Sequence, residues 1–231
     1  MSALWDIIRE FFQPLMKSEV LPSDLSFKGQ SVLVTGTTGG LGLEPAIHYV
    51  NLGATPAHIT ARNAMRGAET QKVIEERTGK NGVVQVWVLD MDTITGVQDF
   101  MKAWEKDVKE IDIVLLNAGT HPFAYQESPD GREMDLQVNT LGTTLLGLLM
   151  LQWMRSIKKQ GQIQHLGFVG SGAHFGLADI SSPTFPKQNT LNSFNKKQNY
   201  PGGRLQYGVS KLFQQYAVLE IAKLALDADG R

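Results

Sequence analysis

A short β-branched run, Val32 to Thr35, feeds directly into Gly36-Thr37-Thr38-Gly39-Gly40-Leu41-Gly42, and a helical stretch through Ala46 to Val50 follows. No other feature restricts the possible folds as far. A strand that ends in a glycine-rich turn and opens a helix aims backbone amides at whatever lies before the helix, and glycine lets an anion approach them closely. The segment departs from G-x-G-x-x-G because Thr38 stands where the second glycine belongs. It fits T-G-x-x-x-G-x-G instead, through Thr35, Gly36, Gly40 and Gly42, with Leu41 between the last two. These residues are candidates to cradle a pyrophosphate; a glycine turn without a ligand is the alternative.

The rest of the chain repeats the alternation. Asn51-Leu52-Gly53 stops the first helix, and His58 to Thr60 reads as a second strand. Asn63 caps a helix over Ala64 to Arg77, which Gly79 ends, and Val83 to Leu89 is a β-prone third strand. Val97, Phe100, Met101, Trp104 and Val108 mark an amphipathic helix. Asp112 to Leu116 and Gln164 to Val169 are the fourth and fifth strands. A long helix from about Glu133 to Lys158 separates them, and a last helix runs from Tyr207 to about Leu226. Strands separated by helices predict βαβ units: a doubly wound parallel α/β sheet with helices on both faces.

Two segments stand apart. Residues 1–26 carry Leu4, Trp5, Ile8, Phe11, Phe12, Leu15 and Met16 at helical spacing. They predict a helical extension packed on the domain or on a partner subunit, with weak peripheral membrane contact through residues 2–17 as the rival reading. Residues 175–204, rich in Asn, Gln, Lys, Ser, Pro and Gly, read as an insertion without periodicity, a lid or a flap. Phe175, Phe185, Phe194 and Tyr200 are its candidates for an apolar pocket lining. The domain proper is expected over 27–231.

Composition closes off other classes. A net charge of -1 carries no footprint for nucleic acid. Without cysteine there are no disulfides, thiolate metal sites or cysteine nucleophiles, and the five histidines form no H-E-x-x-H. No G-x-S-x-G elbow supports a serine hydrolase. Leu141 to Leu151, the longest apolar run, is too short to span a bilayer, and no signal peptide is read at the N-terminus, so the expected location is cytoplasmic.

After the second strand comes Thr60-Ala61-Arg62-Asn63, with no acid between Glu44 and Glu69. An acid near this point binds a ribose 2′-hydroxyl, whereas an arginine accommodates a 2′-phosphate. Arg62 therefore favours NADP(H) as cofactor, the alternative being a solvated residue at a helix start. Further motifs follow in order: Leu89-Asp90-Met91-Asp92, Leu116-Asn117-Ala118-Gly119, Val138-Asn139, Gly170-Ser171 and Tyr207-Gly208-Val209-Ser210-Lys211. Together with the glycine turn they resemble the short-chain dehydrogenase/reductase family, in the style of fungal members tied to secondary metabolism. The resemblance runs from about Phe27 to the C-terminus.

That resemblance implies a Rossmann-type fold and a hydride transfer between NADP(H) and a carbonyl or secondary alcohol of a small apolar metabolite. It assigns Asp90 to the adenine, Asn117, Ala118 and Gly119 to the cofactor, and Tyr207 to general acid/base work. Lys211 becomes the partner of Tyr207 and the holder of the nicotinamide ribose, Ser171 the group that polarises the carbonyl, and Asn139 a link in a water-mediated proton relay. The chemistry has a reason. A phenol with an ordinary pKa near 10 needs a nearby cation to work near neutral pH, and Lys211 lies one helical turn from Tyr207. His121, just after Asn117-Ala118-Gly119, and His174, near Ser171, read as satisfied loop histidines, with a place for His121 at the border of the pocket as the alternative.

Two departures from the family pattern shape the expectations. The stretch between Ser171 and Tyr207 is long. Beyond the last helix the sequence offers no counterpart of the family's sixth and seventh strands, so the C-terminal strands are expected to be missing. The last helix should then expose an apolar face, and the nucleotide pocket should lack a wall. A nucleotide-binding but catalytically impaired regulatory or assembly subunit is therefore the alternative function. Homo-oligomerisation is the usual state of the family.

Overall fold

The computed structural model of the protein describes residues 21–177 and 188–226. Nearly all of the N-terminal extension, with its membrane-contact stretch 2–17, and Phe185 of the insertion lie outside these residues. The described chain forms one five-stranded parallel sheet, β1 (Val32–Val34), β2 (Ala57–Ala61), β3 (Val84–Val88), β4 (Ile113–Leu116) and β5 (His165–Phe168), in the order β3-β2-β1-β4-β5. Helices α1 (Gly40–Asn51), α2 (Ala64–Thr78), α3 (Ile94–Asp107) and α4 (Thr143–Ile157) connect successive strands, and α5 (Thr190–Phe194) and α6 (Gly203–Ala225) follow β5. The sheet and its helices make an α/β fold of the Rossmann type, as expected.

Alternation along the strands builds two cores. Val32 and Val34 of β1 pack beneath α1 and α2 with Ile47, Val50, Ile59 and Ile74. Leu33 faces the other way, with Val114 and Leu116 of β4, into a core closed by Phe100, Trp104, Leu146, Met150 and Trp153 from α3 and α4. Strand residues one apart point to opposite faces, so a strand that is apolar throughout must be covered on both sides. The helix starts follow local chemistry: Asn63 Oδ1 accepts from the Arg66 amide at 2.9 Å, and Thr93 Oγ1 accepts from the Gly96 amide at 3.0 Å.

Three expectations need correction. The helix expected from about Glu133 is not continuous: Leu136–Gly142 is π-helical and only then does α4 begin. Thr143 Oγ1 donates to the Val138 carbonyl five residues back at 2.9 Å, which supports the wider turn. The last helix starts at Gly203, a turn earlier than its motif suggests. Finally, the described aromatic residues of the insertion, Phe175, Phe194 and Tyr200, do not share one pocket. Phe194 is buried against Leu136 and Val209, Phe175 is 83% exposed, and the Tyr200 ring packs edge-on against Tyr125 at 5.7 Å.

The expected apolar exposure on the last helix is present. Tyr216 and Leu219, one turn apart on α6, are each about half exposed, as are Leu224 and Leu226. Strand β5 pairs with β4 alone among the described residues. No helix among them is long and apolar enough to cross a membrane.

Candidate active site

Strand order reverses between β1 and β4, which leaves a crevice beyond their carboxyl ends where loops diverge. An open cleft of about 580 Å³ lies there, lined by Gly36, Thr38, Gly39, Leu41 and Gly42 at one end and by Ser171, Tyr207 and Lys211 at the other. Arg62, Asn117, Ala118, Gly119 and His121 line it between.

The glycine turn is locked from below. Thr35 Oγ1 accepts from the amides of Asn117 and Ala118, both at 3.0 Å, and Asn117 Nδ2 donates to the Thr35 carbonyl at 2.9 Å. The ends of β1 and β4 are thus tied together by Thr35 and Asn117, which makes both of them framework for the turn. Two glycines are required sterically. A Cβ at Gly36 would sit 2.7 Å from Ala118 Cα, and one at Gly42 would run into the Gly36 carbonyl oxygen and Asn117 Nδ2. By contrast, Gly39 and Gly40 face open space.

The start of α1 fits a bound anion. No side chain caps it at Gly39 and no acid lies in its first turn, so its leading amides keep their donors for a ligand. Leu41, 79% exposed, stands at the same end. These are the features a dinucleotide's pyrophosphate needs: free amides, a helix N-terminus and room beside glycine.

Farther along, Arg62 lines the cleft and reaches across it to Asp92, Nη1 to Oδ2 at 3.3 Å. Asp90 Oδ1 accepts from the Asp92 amide at 3.0 Å, and its neighbours Leu89, Met91 and Asp92 line the cleft.

At the other end, Tyr207 and Lys211 lie one turn apart on α6, with Lys211 Nζ 5.9 Å from the Tyr207 ring centre. Nζ donates to the Val169 carbonyl at 3.0 Å and to Gln214 Oε1 at 2.9 Å. Burial holds the Lys211 pKa down to about 8, against the pull of the Asp135 carboxyl, so the ammonium still predominates at neutral pH. Ser171 follows β5, and its Oγ accepts from the Ala173 amide at 3.2 Å. One pocket therefore gathers Ser171, Tyr207 and Lys211, which are far apart in sequence.

Asn139, in the π-helical turn, is fully buried behind this group. Its Oδ1 accepts from the Thr120 amide at 2.8 Å, while Nδ2 donates to the Thr120 carbonyl at 2.9 Å and to Ser210 Oγ at 3.0 Å. It makes no direct bond to Lys211. Gly119 separates the two: a Cβ there would lie 3.1 Å from Asn139 Oδ1 and 3.8 Å from Lys211 Nζ.

The structure adds residues at and beside the cleft to which the sequence assigned no role in the site. Thr60 Oγ1 accepts from the Gly36 amide at 3.1 Å, and Asp92 pairs with Arg62. Arg66 shares a neighbouring groove with Thr38. His121, read as a loop histidine, lines the cleft with its ring 4.6 Å from that of Tyr207. Only the position of His121 just after Asn117-Ala118-Gly119 pointed there. His174 keeps its structural reading, its Nδ1 against the Ser171 carbonyl.

Known proteins resemble this chain in sequence and in fold. A family profile described as short chain dehydrogenase matches residues 30–173. The chain is 36% identical over 202 residues to the short-chain dehydrogenase anuD of Penicillium roqueforti, covering 85% of this chain and 50% of the relative. It is 32% identical over 198 residues to a short chain dehydrogenase of Arthrobotrys oligospora, covering 83% of this chain and 61% of the relative. The chain thus spans about half to three-fifths of the length of these curated relatives. Among solved structures, RhlG of Pseudomonas aeruginosa in an NADP complex aligns over 87% of this chain and 67% of its own, with a TM-score of 0.62 at 23% identity. L-sorbose reductase of Gluconobacter frateurii, complexed with NADPH and L-sorbose, aligns over 87% of this chain and 66% of its own, with a TM-score of 0.63 at 18% identity. The structural likeness concerns the fold, and the matched profile carries the assignment: this chain belongs to the short-chain dehydrogenase family and resembles its fungal secondary-metabolism members.

Proposed function

We propose that the protein is an NADP(H)-dependent oxidoreductase that interconverts a carbonyl and a secondary alcohol on a small apolar metabolite. The observation that carries this reading is the meeting of Ser171, Tyr207 and Lys211 in the cleft that the glycine turn opens. Residues 27–231 make up the working domain, with 175–204 inserted near the substrate end and 1–26 as an extension, and its setting is the cytoplasm.

The bound nicotinamide supplies or takes up the hydride. The remaining work falls to the chain. The Ser171 hydroxyl donates to the substrate oxygen and steadies the charge that builds there. Tyr207 gives its phenolic proton to that oxygen as the carbonyl is reduced, and takes it back in the reverse direction. Lys211, its ammonium oriented by Val169 and Gln214, lowers the cost of the phenolate and holds the nicotinamide ribose. Asn139 fixes the Thr120 backbone behind them and joins the relay through water.

NADP(H) is favoured over NAD(H) by Arg62 at the cleft mouth, with Arg66 in the adjoining groove beside Thr38. A 2′-phosphate would take the place that Asp92 now holds on Arg62. A charge-assisted contact of this kind contributes about 1.5–3 kcal/mol, or roughly 10- to 150-fold in affinity. Titration of the purified chain should therefore show tighter binding of NADPH than of NADH, and Arg62→Ala should remove most of the gap. Equal affinity for the two cofactors in the unaltered protein would contradict the preference.

Nucleotide binding without turnover is the second reading. Tight NADPH binding with no consumption across a broad carbonyl panel would select it.

A further inference from the structure

Behind the Tyr207 ring lies a buried carboxyl that the roles above leave unused. Asp135 has no exposed surface. Its Oδ1 accepts from Asn139 Nδ2 at 3.3 Å, while Oδ2 has no hydrogen-bond partner among the described residues. The atom facing Oδ2 is His121 Nδ1, 3.8 Å away, itself enclosed and also without a partner. That gap is just beyond hydrogen-bond range, and a small rotation of the imidazole closes it. The other side of the ring opens to the cleft, since the His121 side chain is 31% exposed. It packs on Tyr207 with ring centres 4.6 Å apart and planes inclined by 44°.

We propose that Asp135 and His121 form a proton relay for Tyr207, Asp135 as the store and His121 as the carrier. The proposal rests on the reductase reading given above. When Tyr207 protonates the substrate oxygen, its O–H bond breaks and a phenolate remains. The rings of His121 and Tyr207 meet by packing and not by a hydrogen bond, so the turn of the imidazole that closes the gap to Asp135 also has to bring Nε2 to the phenolate oxygen. Nε2 then gives its proton there while Nδ1 takes the proton from Asp135 Oδ2. Tyr207 is restored, His121 stays neutral as the other tautomer, and Asp135 becomes a carboxylate. Water at the cleft returns one proton through the exposed imidazole to Asp135. Oxidation of an alcohol runs the same transfers backwards.

The surroundings of Asp135 suit a store. Burial, and then the neighbouring Glu133 carboxylate, raise its pKa to about 8, against the Asn139 hydrogen bond and the Lys211 charge on α6. The carboxyl thus holds its proton at neutral pH and can lose it without a large cost. Glu133 is committed elsewhere, accepting from the amides of Asp135 and Leu136, both at 3.1 Å, and from Gln206 Nε2 at 2.6 Å. Tyr200, preceding α6, also feels the Asp135 charge. His121 is the titratable group that joins Asp135 to the cleft.

The test uses the full chain with NADPH bound and two variants, Asp135→Asn and His121→Phe, the second keeping a ring against Tyr207. With ring-labelled histidine, nuclear magnetic resonance should show the His121 ring nitrogens responding as Asp135 gains its proton near pH 8, and that response should vanish in Asp135→Asn. Each variant should lower kcat by about 10-fold or more, within the range of general acid–base effects. The NADPH dissociation constant and the KM of the carbonyl should stay within about twofold, and the double variant should lose no more than either single one. Full kcat in His121→Phe, or an unchanged response of the His121 ring nitrogens in Asp135→Asn, would overturn the relay. An unaltered chain that binds NADPH yet turns over no carbonyl would instead overturn the reductase reading, and the titration arm would still judge the pair.

Discussion

Single atoms decide how close the ligand can come to the turn at Gly36 to Gly42. Gly42 has no space for a methyl group, because the Gly36 carbonyl and Asn117 Nδ2 occupy it. Both belong to the clasp between β1 and β4, so neither can move without loosening the turn. Gly42→Ala is expected to destabilise the fold by about 1–3 kcal/mol, the usual cost of overpacking, and to weaken NADPH binding by more than the loss of stability explains. Thermal melting with and without NADPH measures both effects. A variant that melts like the parent and gains the same shift from NADPH would show that the clasp is not tight. Gly40 offers a contrast. Its φ of 56° lies in the left-handed region, but the space around it is open, so a side chain there meets backbone strain alone.

At the scale of elements, β2 and β3 hold a group that links the second core to pH. His58 is 2% exposed, accepts from Trp87 Nε1 at 3.0 Å through Nδ1, and meets the Trp104 ring edge-on at 4.9 Å. Burial holds its pKa down to about 4, while the unfolded chain protonates near 6.5. The neutral ring therefore contributes its full stability above pH 6.5, and this is lost as pH falls towards 4, on the order of 3 kcal/mol in all. Asp135 bends the curve the other way, since its raised pKa lets the folded state take a proton first as pH drops below about 8. The comparison with a variant isolates His58. Relative to the parent, His58→Gln should gain stability steadily between pH 6.5 and 4, as read from denaturant unfolding at each pH. A constant difference across that window would contradict the account.

The elements also show what was legible beforehand. Five strands and their helices follow from period-two and period-3.6 apolar patterns, which survive because each face must be buried. The cap at Asn63 and the stop at Gly79 were readable because their chemistry is local. The π-helical turn over Leu136–Gly142 was not, since one extra residue per turn leaves no trace in apolar spacing. Its anchors are tertiary: Thr140 Oγ1 donates to the Ser210 carbonyl at 2.9 Å, and Asn139 binds Thr120 and Ser210. For the same reason the sequence pointed to Tyr207 and Lys211, a local pair, but left Asp135 unassigned and His121 first as a loop histidine, since those two meet only through the fold.

For the molecule as a whole, the order of motifs along the chain and the order of strands in the sheet agree. The glycine turn ends β1, Asn117 ends β4, Ser171 follows β5, and all three open on the crevice where the strand order reverses. What the sequence left open at this scale is charge. Arg62 was visible as a cation after β2, but its partner Asp92 comes from the end of β3 and could be found only by folding the chain. The central claim is that the cleft joins a nucleotide end to a proton-donating end. Consumption of NADPH with a carbonyl panel, followed at the absorbance of the reduced cofactor in the parent and in Tyr207→Phe, tests it most directly. The account predicts turnover by the parent and a loss of about 10²–10⁴-fold in the variant with NADPH binding retained; a Tyr207→Phe protein that turns over as fast as its parent would contradict it.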